Sequence, residues 1–577
     1  RLIALNGSFG SLRQDSLLKV FSAKPAIIMA GEDIVSTQLY IQNQRAADVS
    51  LVQAGGDISF LKLDKLGKVD SGGASGIRVS GPGRLDVIAG GSIDLASSRG
   101  IKSIGNEENP ALAESGADIT IMAGLGEAAY RSDYNAFVER YLGDAGYAAL
   151  QQQLLEVMRG YSGNGSLGYE ESLALLQSLP QDISAILIDS GFSDLPLGIN
   201  SSNLLSYLQS LRTYQSWLAA HLEKHGVTAD GGIAAFAELP LYKQRELIIK
   251  IFNNELKQGG VDGVTNGADA YNRGYAAVYE LYQDYAHEGY DVSTQEGLRK
   301  FLSQGTSFNG ELSMYRSTVQ TRDGGDINII VPGGRVFGGL AAANSTENSA
   351  KSGDIGVVAR RQGDINAFTR NDFLVNQSRV FAMDGGDILM WSSETNLDAG
   401  RGSKTARGVS KAEYKFDEWG NVIVLPPSSL TGSGIRNFAS SEGAEAGSVY
   451  LFAPVGVVDA GDAGIGTAGN LFVGAVEVKG ADNFDIGGVA VGVQVSTSGD
   501  MSGMTGAGGA TDKATGNQMD RIEETAKGDS DADKQLSWLE VFVEGLGTTN
   551  GNADADDEKK KKKKGKKKKK GDLISMK

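Results

Sequence analysis

Between Ser352 and Thr405 the tripeptide Gly-Asp-Ile occurs three times, at Gly353-Asp354-Ile355, Gly363-Asp364-Ile365 and Gly386-Asp387-Ile388. Each time it opens a short run of β-branched or aromatic residues. Glycine supplies backbone freedom for a turn, the aspartate carboxylate caps it, and isoleucine starts a strand whose alternate side chains point inward. The first and second starts lie 10 residues apart and the second and third 23. A coil of about 20 to 25 residues holding two or three strands accommodates both intervals, which predicts a parallel β-helix rather than a sandwich.

The same opening recurs at Gly55-Gly56-Asp57-Ile58, Gly90-Gly91-Ser92-Ile93 and Gly116-Ala117-Asp118-Ile119, so residues 1–124 form a first predicted β-helical segment. Its strands alternate apolar inward with polar outward positions. The repeat disappears over 125–316, where helical spacing takes over in LQQQLLEVMRG, NLLSYLQSLRTYQSWLAAHLEKHG and LYKQRELIIKIFNNELKQGG. Pro240 opens the last of these and Gly259-Gly260 is expected to close it. A structureless loop of this length is excluded, and the segment is expected to project from the solenoid as a separate helical module. The β pattern resumes over 317–497, with a loop expected around Lys411 to Pro427. At about 22 residues per coil the two segments give roughly 14 coils and about 65 Å of rod. Residues 498–577 are rich in Gly, Ala, Thr, Asp and Lys and are expected to be largely disordered, apart from a short strand at Ser537–Gly545.

Glycine, at 79 of 577 residues, is about twice its usual share of roughly 7%, as frequent turns require. The net charge is -16, yet Lys559–Lys564 and Lys566–Lys570 hold eleven lysines, and removing their charges leaves -27 on the rest. An acidic body disfavours nucleic acid as a partner, and the tract at 559–570 reads as a solvated low-complexity run. Cysteine is absent, so the chain is no disulfide scaffold. No apolar run is long enough to span a membrane as a helix. The chain opens on strand-like RLIALNGSFG with no visible signal peptide and reads as a fragment of a longer polypeptide.

The chemistry-bearing residues divide between the two parts. Asp326, Asp354, Asp364 and Asp387 occupy one turn position of successive repeats and read as turn caps. A catalytic carboxylate cluster is the alternative, since β-helices also carry polysaccharide lyases and hydrolases. The three histidines, His221, His225 and His287, all fall in the helical segment. His221 and His225 share a helix face as zinc ligands do, but Leu222-Glu223-Lys224 puts no glutamate directly after the first of them, where a zinc protease carries its base. His225 also precedes Gly226 at an expected helix end, where the dipole favours histidine unaided. Both read as structural, and no metal, cofactor or catalytic residue is expected. Sixteen of nineteen tyrosines lie in the helical segment, and Tyr271, Tyr275, Tyr279 and Tyr282 step by 4, 4 and 3 to form one helix stripe. Packing against a core is the ordinary reading of such a stripe. A surface for a glycan or protein receptor is the functional one.

The run GGDILMWSSETNLDAGRGSKT (385–405) and the stretch Ala446 to Val493 resemble the C-terminal region of large filamentous-haemagglutinin-like exoproteins, the passengers of two-partner secretion in Gram-negative bacteria. The resemblance implies a right-handed β-helix, export through an Omp85-type outer-membrane transporter, and a structural or adhesive role at the cell surface, without enzymatic activity. The family's N-terminal secretion domain is not found in this sequence. A polysaccharide-active β-helical enzyme is the alternative function.

Overall fold

Short strands pair in parallel with the strands one coil before and one coil after, which builds three ladders. The computed structural model describes residues 1–11, 17–60, 75–106, 115–126, 129, 134–282, 308–339, 355–402, 432–439 and 444–493, with backbone alone for 413–416 and 422–425. His287, Gly353-Asp354, the expected strand at 537–545 and the lysine tract lie outside the described residues. Among the described residues the first ladder has eleven strands, from Leu2–Ala4 to Ala490–Val491. A second ladder of two-residue strands such as Ile93–Asp94 and Val336–Phe337 stands beside it. The third, of ten strands, runs from Leu18–Ser22 to Phe484–Ile486. The fold is a parallel β-helix, as the turn-strand periodicity predicts.

Both Gly-Asp-Ile intervals acquire a meaning. The strand after Ile355, Gly356–Ala359, belongs to the third ladder and Ile365–Thr369 to the first, so 10 residues separate two faces of one coil. Ile365 and Ile388 are hydrogen-bonded neighbours in the first ladder, so 23 residues are one full coil. Eleven strands make ten steps, about 48 Å at about 4.8 Å each, which corrects the expected 14 coils. Coil lengths are far from uniform: equivalent turn positions lie 19, 61 and even 208 residues apart. One excursion between coils holds an antiparallel hairpin, Glu413–Phe416 with Val422–Leu425, where a loop is expected from sequence.

The 208-residue step is the helical insertion. The chain leaves the first ladder after Asp118–Met122 and re-enters the second at Leu312–Ser313, which pairs with Ile93–Asp94 on one side and Val336–Phe337 on the other. The stack closes over the gap, with Ile121 opposite Ile329. Eight α-helices lie between among the described residues: α1 (Asn135–Leu142), α2 (Asp144–Ser162), α3 (Tyr169–Ser178), α4 (Gln181–Gly191), α5 (Leu204–Lys224), α6 (Gly232–Ala237), α7 (Leu241–Asn266) and α8 (Asn272–Tyr282).

These helices do not project as a separate module. They cover the outer face of the first ladder, and each strand there serves two cores. Val87, Ile121, Ile329, Met390 and Leu451 stack inside the solenoid. Their chain neighbours Ile88, Met122, Ile330, Trp391 and Phe452 point the other way into a core shared with the helices. Strands such as INIIV and ILMWS are therefore buried at every residue, and the solvent-exposed outer face expected from sequence is absent there. A sheet covered on both sides carries continuous apolar runs, because neither face meets water.

Helix α7 lies along the stack. Its Arg245 pairs with Asp86 at 2.7 Å, Asn253 donates to Asn328 at 2.7 Å, and Lys257 meets Asp387 at 2.8 Å. Further on, Gly260 sits against Phe452 and Val264 against Gly474. From the strand of Asp86 to that of Gly474 is six ladder steps, about 29 Å at about 4.8 Å each. The helix from Arg245 to Val264 rises by about the same amount at about 1.5 Å per residue. Roughly one helix turn per coil lets successive turns address successive strands. The helix also runs through Gly259-Gly260 to Asn266 instead of ending there. A Cβ at Gly259 would stand 2.5 Å from the Gly274 nitrogen, and one at Gly260 2.1 Å from the Phe452 ring. These glycines are contact positions, not a stop.

Candidate functional site

Where α7 bridges the turn edge of the first ladder, a groove of about 350 Å³ is left between helix and solenoid. Its floor is a column of carboxylates, Asp118, Asp326, Asp364 and Asp387, one per coil. Each caps the coil after it. The backbone N–H of Asp326 donates to Oδ1 of Asp118 at 2.9 Å, that of Asp364 to Asp326 at 2.9 Å, that of Asp387 to Asp364 at 2.8 Å, and that of Ser448 to Asp387 at 2.8 Å. The turn-cap reading thus takes a specific form, in which the cap acts between coils. A second corner repeats the device, with Asp33 accepting from Asp57 at 2.8 Å and Asp57 from Ser92 at 2.7 Å.

Stacking acids at one coil spacing perturbs them. Burial, then the neighbouring carboxylates Asp118 and Asp364, pushes Asp326 up to about 7. Burial also raises Asp118 and Asp364, against the backbone hydrogen bonds they accept. At one end of the column Lys257 bonds Asp387 and lies 4.2 Å from the Tyr450 ring centre. Lys250, also in the groove, lies over Trp217 at 4.3 Å. A half-buried acid titrating near neutrality, flanked by lysines, is chemically able to exchange protons at physiological pH.

The tyrosine stripe is placed elsewhere. Tyr271, Tyr275 and Tyr282 are 7%, 1% and 5% exposed, and Tyr279 is half-buried. The rings of Tyr271 and Tyr275 stand 6.3 and 5.5 Å from Trp391, edge to face, and the Tyr275 hydroxyl donates to the Ser393 carbonyl at 2.7 Å. Tyr282 stacks on Phe368 and meets Phe308. The stripe fastens α8 to the solenoid, so these rings do not form an accessible receptor surface. The amphipathic period is equally consistent with either role, and the outward Phe368, Trp391 and Phe452 decide it.

Within α8, Arg273 is fully buried. Its guanidinium bonds Glu255 of α7 at 2.7 and 3.0 Å, Asp262 at 3.2 Å, and the hydroxyls of Ser206 and Ser210 of α5 at 2.8 Å each. This network ties three helices together, and nothing local in the sequence announces it. His221 and His225 lie at the end of α5 with their rings 4.6 Å apart. Glu246 of α7 faces them, 3.9 Å from His225 Nε2, a neighbour that sequence spacing does not reveal.

No curated protein and no solved structure matches the chain. Residues 385–495 do find a counterpart, and they hold the last four strands of the first ladder, from Ile388–Ser392 to Ala490–Val491. Over that C-terminal stretch the chain matches the family model described as filamentous haemagglutinin family outer membrane protein, a description that fits a location at the cell surface.

Proposed function

We propose that the chain is a structural and adhesive exoprotein of a Gram-negative cell surface, exported through an Omp85-type transporter by two-partner secretion and engaging a glycan or protein receptor. The observation that carries this reading is the family match on the terminal coils of a long parallel stack. The physics agrees with it. Backbone hydrogen bonds are consumed between coils, which gives reach and resistance to proteolysis. The lack of cysteine suits passage of an unfolded chain through a narrow barrel, where a disulfide loop would have to pass as a double strand. Deleting the gene of the partner transporter should remove the protein from the cell surface, and deleting the protein should lower attachment to host cells, other bacteria or matrix. Surface display without the transporter, or unchanged attachment without the protein, would sink this reading.

The groove supports a second reading, a polysaccharide-active enzyme. Adjacent carboxylates one coil apart, about 4.8 Å, approach the separation of about 5 Å that retaining glycosidases use. Asp326, held near 7, has the pKa of a general acid. Against it, each Oδ1 is already occupied by a backbone N–H. Incubation with acidic and neutral polysaccharides decides: new reducing ends or unsaturated products that vanish in D326N establish the enzyme, and their absence removes it.

A further inference from the structure

The last turn of α5 and the first turns of α7 bring three potential ligands to one point, and three ring nitrogens there are left without hydrogen-bond partners. His221 and His225 are separated by one helix turn and project from the same face. Their rings meet edge-on, 4.6 Å between centres. Glu246 approaches from α7, and the ligand atoms of all three residues lie within 4.8 Å of one another. Nε2 of His221 and both ring nitrogens of His225 have no hydrogen-bond partner. His221 is only 5% exposed and the His225 side chain is fully enclosed. Leaving a buried polar group unpaired destabilises a fold, and here three such atoms converge.

We propose that His221, His225 and Glu246 bind one divalent transition-metal ion of the zinc class, which staples the end of α5 to the start of α7. The donor set is two imidazoles and a carboxylate, with a fourth position open, as zinc accepts and as calcium and magnesium, which take oxygen ligands, do not. The donors need draw in by less than about 1 Å each to reach bonds of about 2.0–2.2 Å. The Glu246 carboxylate is divided: Oε1 accepts from Lys224 at 2.6 Å, which leaves Oε2 turned toward the imidazoles. A metal at this point requires neutral imidazoles and an ionised carboxylate. The positive charges of Arg84 and Lys224 oppose a cation, so binding rests on the ligand bonds and not on the local field.

Composition makes the test clean, because the chain has no cysteine and only three histidines. The full chain, stripped of metal with a chelator, is titrated with zinc chloride by calorimetry, and with cobalt(II) followed by its visible ligand-field bands. The expected result is one ion per chain with a Kd of micromolar or tighter, tetrahedral cobalt bands, and no response to calcium. H221A/H225A should abolish binding, E246Q should weaken it at least tenfold, and H287A should leave it unchanged. E246Q keeps side-chain volume, and circular dichroism verifies that each variant is folded. The proposal is overturned by the absence of saturable heat and cobalt bands in the wild-type chain, by binding that survives H221A/H225A, or by E246Q binding as tightly as wild type.

Discussion

At Asp326 one carboxyl group serves two ends that oppose each other. Its Oδ1 must accept the Asp364 N–H to hold the next coil, while ionisation places a charge between two further carboxyls in a half-buried column. Because the folded state raises its pKa to about 7, the folded chain keeps a proton that the unfolded chain gives up near pH 4. Its contribution is thus fully present below about pH 4 and is lost as pH rises through about 7. In the metal-free chain His221 works in the opposite sense, since a folded pKa near 4 removes stability as pH falls from about 6.5. Comparing variants isolates Asp326. D326N keeps the acceptor oxygen but does not titrate, so it should gain on wild type as pH rises from about 4 to 8, read as the shift in urea midpoint. Relative to D326N, D326A leaves a backbone donor unpaired and should cost about 1–3 kcal/mol at every pH. A constant difference between wild type and D326N across that range would show that Asp326 titrates normally. The aspartate's place in a turn is legible from Gly-Asp-Ile. Its shifted proton is not, because the Asp118 beneath it comes 208 residues earlier in the chain.

For the elements, the sequence announces what is local and conceals what packing supplies. Leu241 starts α7 just after Pro240, as the sequence pattern predicts. Its far end is misread at Gly259-Gly260, because glycine after a helical run signals a stop unless something outside the helix demands the missing Cβ. Here the Phe452 ring and the Gly274 backbone demand it, and neither is near in sequence. The histidine pair is equally legible as one helix face, whereas its third neighbour, Glu246, is brought in only by packing of α7 on α5. The glycine argument makes a signed prediction. Gly160 of α2 has open space around it, so G160A should stabilise by up to about 1 kcal/mol through helix propensity. G260A gains the same propensity but drives a methyl into the Phe452 ring, and should destabilise by about 1–3 kcal/mol. Thermal unfolding of the two variants reads the difference, and equal shifts would mean that α7 is not seated on the solenoid.

Over the whole molecule the question is whether solenoid and insertion are separable. Hydrogen bonding says yes, because the first and second ladders close over the gap and, among the described residues, the insertion supplies no strand to either. Burial says no: Ile88, Met122, Ile330, Phe368, Trp391 and Phe452 form an outward stripe, covered by helices and shared with their core. Removing residues 126–310 would keep every ladder pairing and expose that stripe to water, an apolar patch of the kind that drives association. The deletion variant should retain a strand-rich circular dichroism spectrum and elute from size exclusion as aggregate. A second deletion variant, with all six of these outward residues changed to threonine, keeps β-branched residues in the strands and removes the patch. It should elute as monomer with the same spectrum. Loss of the strand signal in this repaired variant as well would show that the coils need the helices in order to stack, and that one cooperative unit spans both cores.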